Sequence, residues 1–246
     1  MKKLFIFSIA LVAASGVHAQ SSWSLGISGA SLGNHSYYSG GMADAHANFH
    51  HDDFGTGSLG FVARKTLCPH WSFQTGFGFS SIGFNFALAQ DYSLLNEDSQ
   101  WIGASVSSGV VNIPASIIYN TNLNCRNWRW FVGGGFSTVM SGQTSGSTEG
   151  TATAEDNTTV SLSTNYHSPA FTRVHGHLMG GIEKVYKRGA MLSFGLMLNG
   201  GLSSLATTDV TYTLDGKTYN HTFTNRGNYC GLFINYYFRP WGSKTK

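Results

Sequence analysis

Charged residues are scarce in this 246-residue chain. Asp, Glu, Lys and Arg make up 11% of it, whereas soluble domains usually carry about 25%. Beyond residue 19 the sequence has no apolar run of about 20 residues, which excludes a transmembrane helix. Without such a helix, a chain either stays soluble or crosses a membrane as a closed β-barrel. The low charge favours the barrel, whose outer wall lies in hydrocarbon.

Proline and cysteine are also scarce, with four and three residues. Cys68, Cys125 and Cys230 are too few for a disulfide framework. Cys68 and Cys125 fall in predicted short turns, where one bridge and two free thiols are both compatible with an oxidising compartment. Cys230 is expected to face lipid as a small apolar residue. Phe and Tyr are abundant, 17 and 11 residues, beside 31 Gly. This composition suits a lipid-facing β-wall better than a soluble surface.

The first 19 residues have the pattern of a secretory signal. Lys2 and Lys3 form a basic start, residues 4–16 form a short apolar run, and Val17-His18-Ala19 resembles a cleavage site. We therefore predict a signal peptide over 1–19 and one barrel domain over 20–246. Removing Lys2 and Lys3 leaves 13 basic and 12 acidic residues, a net charge of +1. This balance gives no indication of a nucleic-acid partner.

Residues 71–79, WSFQTGFGF, alternate aromatic or apolar side chains with small or polar ones. Because successive side chains of a strand point to opposite faces, one face is aromatic and the other is polar. Soluble sandwiches alternate too, but their core strands favour Val, Ile and Leu. Aromatic residues alternating with small ones indicate a strand with lipid outside and a polar lumen inside.

Strand-like segments recur in pairs that enclose long polar loops and are separated by short breaks. This pattern predicts an all-β fold: an eight-stranded antiparallel up-and-down transmembrane β-barrel with long extracellular loops and short periplasmic turns. Ten strands would result if the third loop contained a membrane hairpin. Asp215-Gly216 predicts a tight hairpin turn in the last loop. The predicted pairs are 22–34 with 55–67, 71–86 with 104–121, 127–141 with 170–187, and 190–204 with 225–239.

The charges are distributed according to the same scheme. Glu183 is the one carboxylate in a predicted strand, because charge facing lipid is costly near the membrane midplane. Cations gather near the short turns instead: Lys65, Arg126, Arg129, Lys184, Lys187, Arg188 and Arg239. Trp23, Trp71, Trp128 and Trp130 also flank these turns, as an aromatic girdle would. The other eleven carboxylates lie in the loops: Asp44, Asp52, Asp53, Asp91, Glu97, Asp98, Glu149, Glu155, Asp156, Asp209 and Asp215.

Phasing the strands predicts a polar lumen network. An eight-stranded barrel is only wide enough to be filled by its own side chains, so we expect a packed core in which Glu183 pairs with Arg64 or Arg129. A pore or gate built on that pair is the alternative. The predicted network comprises Arg64, Gln74, Asn112, Arg129, Arg173, His175, His177 and Glu183.

Two groups of residues raise the question of metal binding or catalysis. His46, His50, His51, Asp52 and Asp53 crowd the first loop and could hold a divalent ion, but their spacing matches no established site and favours a solvated loop. His175 and His177 could serve a lipid-modifying enzyme, yet no nucleophile is clearly placed beside them. No nucleotide, zinc-protease or redox motif is present. We therefore expect a non-enzymatic protein without a cofactor.

Three segments resemble a known family. The predicted fourth strand, VVNIPASIIYNTN, resembles the proline-containing strand of the PorT-like outer-membrane β-barrel family of Bacteroidota. WRWFVGGGFSTVMSG resembles that family's glycine-rich strand, and GLFINYYF resembles its terminal aromatic strand. Ala115-Ser116 replace the family's Leu, and eight residues follow Phe238. The resemblance implies an eight-stranded outer-membrane barrel, inserted by the barrel-assembly machinery, and transfers no catalytic residue.

The sequence thus predicts an outer-membrane location more clearly than an activity. We expect a role in envelope integrity or in surface binding through the long loops. The partners would be outer-membrane lipid and an envelope or surface protein. A narrow gated channel, a secretion-associated barrel and a lipid-modifying enzyme are the alternatives, and a soluble lipocalin-like barrel is more distant.

Overall fold

The computed structural model describes residues 23–38, 49–52, 54–88, 102–153, 159–187, 189–201, 203–214 and 216–238. They form an all-β protein, and no described helix is long and apolar enough to cross a membrane. The strands are β1 (Trp23–Tyr38), β2 (Phe49–Asp52), β3 (Phe54–Thr66), β4 (Trp71–Leu88), β5 (Ile102–Asn120), β6 (Trp128–Ser141), β7 (Thr144–Thr153), β8 (Thr159–Ser168), β9 (Phe171–Val185), β10 (Met191–Gly201), β11 (Ala206–Leu214) and β12 (Lys217–Tyr237).

Eight of these strands close into a barrel, as predicted. The order around the wall is β1, β3, β4, β5, β6, β9, β10 and β12, and every neighbouring pair is antiparallel. The last strand returns to the first, with Gly26 opposite Tyr237 and Gly33 opposite Cys230. Closure leaves no open sheet edge at membrane depth, which is the condition for a β-structure to span a bilayer.

The alternation seen in the sequence separates a lipid-facing wall from a lumen. On β4, Trp71, Phe77 and Phe79 are exposed on the outside, whereas Ser72 and Gln74 are buried inside. Neighbouring strands repeat the pattern, so the outer surface is a continuous aromatic and aliphatic band, as expected where hydrocarbon replaces water.

The barrel continues beyond the membrane into a folded extension. β4, β5 and β12 contain 18, 19 and 21 residues, whereas about 9–11 residues cross a bilayer. The upper part of β12 leaves β10 and pairs with β11, then β11 pairs with β8 and β8 with β7. The third loop does contain a hairpin, β7–β8, but it joins this extension rather than the wall. The barrel therefore has eight strands, not ten.

A single glycine marks the change of partner along β12. Gly227 has φ +68°, and a side chain there would meet Leu205 and His175 at 2.6 and 2.7 Å. Its N–H donates to Asn225 Oδ1 at 2.7 Å, which fixes the bend. Positive φ and close approach both require glycine. Gly227 thus lets one strand serve the barrel below and the extension above.

The opposite end, with the short turns, is lined by aromatic and cationic side chains. Trp71 and Trp130 are exposed, and lysines lie over two further indole rings: Lys65 Nζ 5.8 Å from Trp23 and Lys184 Nζ 5.0 Å from Trp128. Cys68 and Cys125 lie in these turns as exposed free thiols, and Cys230 is a free thiol exposed on the wall. Below, we call the two ends of the barrel the turn end and the loop end.

Candidate functional site

The lumen at the turn end holds a buried ionic cluster centred on Glu183. This β9 carboxylate pairs with both Arg64 and Arg129, where the sequence predicted one or the other. Arg129 is its direct neighbour on β6, and Ser193, its neighbour on β10, donates to Oε2 at 2.7 Å. Arg64 lies on β3, which is four strands away in an eight-stranded wall. The guanidinium of Arg64 therefore spans the barrel and connects its opposite sides.

A second layer of hydrogen bonds fixes the orientation of Arg64. Its Nη2 donates to Asn120 Oδ1 at 2.6 Å, and its guanidinium carbon lies 5.7 Å from the centre of the Tyr237 ring. The Tyr237 hydroxyl donates to Gln74 Oε1 at 2.6 Å. Ser193, Asn120 and Tyr237 were absent from the predicted network. The inward phase of their strands was the signal that could have identified them.

The electrostatics of this cluster are unbalanced. Two guanidinium groups face one carboxylate, and Arg64 Nε has no hydrogen-bond partner among the described residues. Removing charges from water costs several kcal/mol per ion, so such a cluster fixes a single arrangement more than it adds stability. The Arg64–Glu183 pair also crosses the lumen where a channel would need to be open.

Apolar and polar side chains alternate in the middle of the lumen. Ile118, Phe131, Met179 and Phe233 form a small apolar cluster. Beside it, Ser116 Oγ lies 2.7 Å from His177 Nε2, and both side chains are buried. This is the nucleophile–base distance that the sequence could not show.

A cavity of about 80 Å³ adjoins this layer, lined in part by Asn112, His177, Tyr229 and Asn235. The Oδ1 atoms of Asn112 and Asn235 have no hydrogen-bond partner among the described residues. The space exceeds the roughly 10–15 Å³ that one water needs, and it is polar enough to hold water. The cavity is therefore a place for water rather than for a drug-sized ligand.

Nearer the loop end, the buried side chain of His175 contacts a neighbouring strand of the wall. The amide of Asn199 lies 2.9 Å from His175 Nδ1 and donates to the Gly227 carbonyl at 3.0 Å. The imidazole is thus held at the bend of β12, where the barrel meets the extension.

Above His175 the lumen is closed by an apolar core. Phe84 and Phe86 from β4 pack with Tyr166 from β8 and Phe223 from β12, with Phe86 and Phe223 ring centres 4.8 Å apart. Burial raises the pKa of the Tyr166 phenol. The whole core comprises Ile82, Phe84, Phe86, Ala104, Val106, Val110, Val139, Leu162, Tyr166, Phe171, Leu205, Ala206, Val210, Tyr212 and Phe223.

One predicted lumen residue needs correction. Arg173 has the inward phase of His175 and His177, but its side chain is exposed and donates to the neighbouring Thr172 carbonyl at 3.4 Å. The pairing of β9 with β10 ends at His175 opposite Gly201. Arg173 therefore lies beyond the closed wall, with open space on one side, and its charge stays in water. The other seven predicted residues line the lumen, with Asn112 and Arg129 only partly buried.

The predicted loop metal site lies outside the residues whose side chains the structure describes. His46 and Asp53 lie outside the described residues, and for His50, His51 and Asp52 only the backbone of β2, paired with β4, is described. Within the residues that are described in full, no group of His, Cys, Asp and Glu could hold a metal ion.

Comparison with known proteins identifies a matching family model. The family model "Outer membrane protein beta-barrel domain" matches residues 20–207. Among solved structures, OprG from Pseudomonas aeruginosa is 9% identical with a TM-score of 0.45, covering 90% of this chain and 98% of OprG. OprB from Pseudomonas putida is 10% identical with a TM-score of 0.18, covering 88% and 93%.

Salmonella typhi OmpF, solved with daunomycin, is 9% identical with a TM-score of 0.13, and the match covers 87% of this chain and 97% of OmpF. No match is found among curated proteins. The family match, in contrast, spans most of the chain, from the predicted signal boundary into β11. The chain therefore belongs to the outer-membrane β-barrel protein family and resides in the cell outer membrane.

Proposed function

We propose that this protein is a non-enzymatic, closed outer-membrane barrel that displays a folded β-extension for binding at the cell surface or for envelope integrity. One observation carries the proposal: fifteen apolar residues from the barrel strands, from β8 and β11 and from Leu205 just before β11 form a buried core above the lumen. Loops that only solubilise the barrel need no such core. A buried core holds the extension rigid, and rigidity lowers the cost of binding.

The same core weighs against the gated-channel alternative. A permeating ion would have to cross the Arg64–Glu183–Arg129 cluster, then the apolar cluster around Phe131, then the core around Phe84. A gate that opened by moving one ion pair would still leave the apolar core around Phe84, which excludes water and ions.

The enzyme alternative rests on the 2.7 Å contact between Ser116 and His177. Glu183 is the nearest carboxylate along β9, six residues further on, or about 20 Å at the rise of a strand. It is already held by two arginines. Both members of the pair are also buried inside the wall. We therefore assign the contact to packing of the lumen.

Finer assignments follow from the sequence resemblance. We propose that the chain is a PorT-like barrel of Bacteroidota, exported by the signal peptide over 1–19 and inserted by the barrel-assembly machinery through its aromatic last strand. If the bound partner is a component of a secretion system, the role of the barrel is secretion-associated.

Site-specific photo-crosslinking in intact cells tests the surface role. Glu149 on β7 and Thr211 on β11 are exposed in the extension, whereas Leu123 is exposed in a turn at the opposite end. A photo-reactive residue at 149 or 211 is expected to give a discrete adduct with a surface or envelope partner that residue 123 does not give. No adduct from either extension position, with normal insertion of the protein, would contradict the surface role.

A further inference from the structure

The turn between β5 and β6 opens onto a groove of about 410 Å³ on the outer side of the barrel. Its lining includes Asn122, Arg126, Trp128 and Trp130. Trp130 is 68% exposed on the lipid-facing wall, and Arg126 is exposed in the turn. The groove thus lies where the wall meets the aqueous face of the membrane, at the turn end.

Side chains along the groove change in character with depth. Arg126 comes first, then Trp128, then Trp130 and its β9 partner Ile182. Lys184, the β9 partner of Trp128, lies beside this lining. Lys184 Nζ lies 5.0 Å from the centre of the Trp128 ring and donates to the Arg126 carbonyl at 3.1 Å. The order is cation, aromatic ring, aliphatic chain. A phospholipid presents the matching order of phosphate, glycerol ester and acyl chain.

The cationic end of the groove is held in place before any ligand arrives. Asn124 Oδ1 accepts the backbone N–H groups of Arg126 and Trp128, each at 2.9 Å. The Asn127 carbonyl accepts from Val185 N at 2.9 Å, which anchors the turn to β9. Because the backbone of the turn is already ordered, the entropic cost of binding a headgroup is mainly that of fixing the exposed Arg126 side chain.

Charge also favours an anionic ligand. Among the described residues of the turn-end half, Glu183 is the only carboxylate, and it points into the lumen to Arg64 and Arg129. Arg126 and Lys184 therefore present positive charge at the membrane surface with no described carboxylate near them. Each such cation near a membrane surface strengthens anionic lipid binding about fivefold.

We propose that this groove binds the phosphate of an anionic phospholipid in the leaflet that faces the turns, with Arg126 and Lys184 at the phosphate and Trp130 against the acyl chain. The inference does not depend on the surface role of the extension.

Native mass spectrometry of the full chain tests the site, with the chain folded in a neutral detergent and titrated with phosphatidylglycerol or phosphatidylcholine. The wild type is expected to retain phosphatidylglycerol more tightly. Arg126→Gln and Lys184→Gln should each weaken that retention about fivefold and weaken phosphatidylcholine less, because its choline cation offsets the charge of its phosphate. Trp130→Ala should weaken both lipids, and inorganic phosphate should not displace them.

Lys217→Gln is the matched control, because Lys217 Nζ also lies 5.0 Å from an aromatic ring, that of Tyr219, but at the loop end. Equal retention of the two lipids, an equal loss in Lys217→Gln, or displacement by inorganic phosphate would overturn the proposal. Heat-modifiable gel migration confirms folding of each variant. If Lys184→Gln fails to fold, the result for Arg126→Gln tests the proposal alone. The Arg126 side chain is exposed in the turn, so its replacement should not affect folding.

Discussion

At the scale of single residues, Glu183 is the side chain on which the lumen depends most. It accepts from Arg64, Arg129 and Ser193, and its own side chain is fully buried. Removing one partner of a buried pair leaves an uncompensated charge, which costs about 3–5 kcal/mol. We expect Glu183→Ala to lower the free energy of unfolding by about that amount, measured by urea titration of the chain folded in lipid vesicles.

Glu149→Ala is the control for this experiment, because Glu149 is exposed on β7 and should contribute little. If Glu183→Ala and Glu149→Ala unfold at the same urea concentration as wild type, the two arginines tolerate the loss of their carboxylate and the predicted cost is absent.

The sequence allowed Glu183 to be predicted as a lumen residue because it is the one carboxylate in a membrane strand. It could not show that Arg64 and Arg129 share Glu183, since that depends on β3 and β9 facing each other across the barrel. Arg173 was misplaced for a related reason. Alternation gives the phase of a strand but not the residue at which its neighbour ends.

At the scale of elements, β9 and β10 approach so closely that only glycine fits at one pair. A side chain at Gly181 would meet the Phe194 carbonyl at 2.1 Å, whereas one at Gly180 would find its nearest atom at 3.6 Å. Gly181→Ala should therefore cost about 1–3 kcal/mol through overpacking, and Gly180→Ala close to nothing. Refolding yield and urea stability of the two variants test this. Equal stability of the two variants would mean that β9 and β10 can move apart to accept a side chain at residue 181 without loss of stability.

We expect that the extension can unfold while the membrane barrel stays folded. Phe223 is buried in the apolar core, and truncating such a ring costs about 3–5 kcal/mol. We expect Phe223→Ala to make the extension sensitive to protease while the membrane barrel keeps its heat-modifiable migration. Phe79→Ala, on the lipid-facing wall, provides the control and should leave the protease pattern unchanged. Loss of the barrel itself in Phe223→Ala would show that the two parts fold as one unit.

Alternation and the spacing of polar loops predicted the wall strands to within four residues, except that β12 begins at Lys217 rather than at the predicted residue 225. The hairpin of β11 with β12 was predicted from Asp215-Gly216. The β7–β8 hairpin and its pairing with β11 were not predicted, because β7 and β8 are rich in Thr and Ser and resemble a polar loop. Their pairing depends on the long upper part of β12 and on the bend at Gly227, and neither follows from local sequence.

At the scale of the whole molecule, the three native cysteines report the orientation. Cys68 and Cys125 are exposed at the turn end, and Cys230 is exposed on the lipid-facing wall. In outer-membrane barrels the short turns face the periplasm. A membrane-impermeant maleimide should therefore label Cys68 and Cys125 only after the outer membrane is permeabilised, and Cys230 in neither state. Labelling of Cys68 or Cys125 in intact cells would show that the turn end faces the outside of the cell, opposite to the expected orientation.

The central claim is that the lumen is closed by an ionic cluster below and an apolar core above. Single-channel recording in planar lipid bilayers tests it most directly, with a general porin inserted in the same bilayer as a positive control. We predict no conductance steps from the wild-type protein. Glu183→Ala should also give none, because the apolar core remains. Steps of reproducible size from folded wild-type protein would contradict the account.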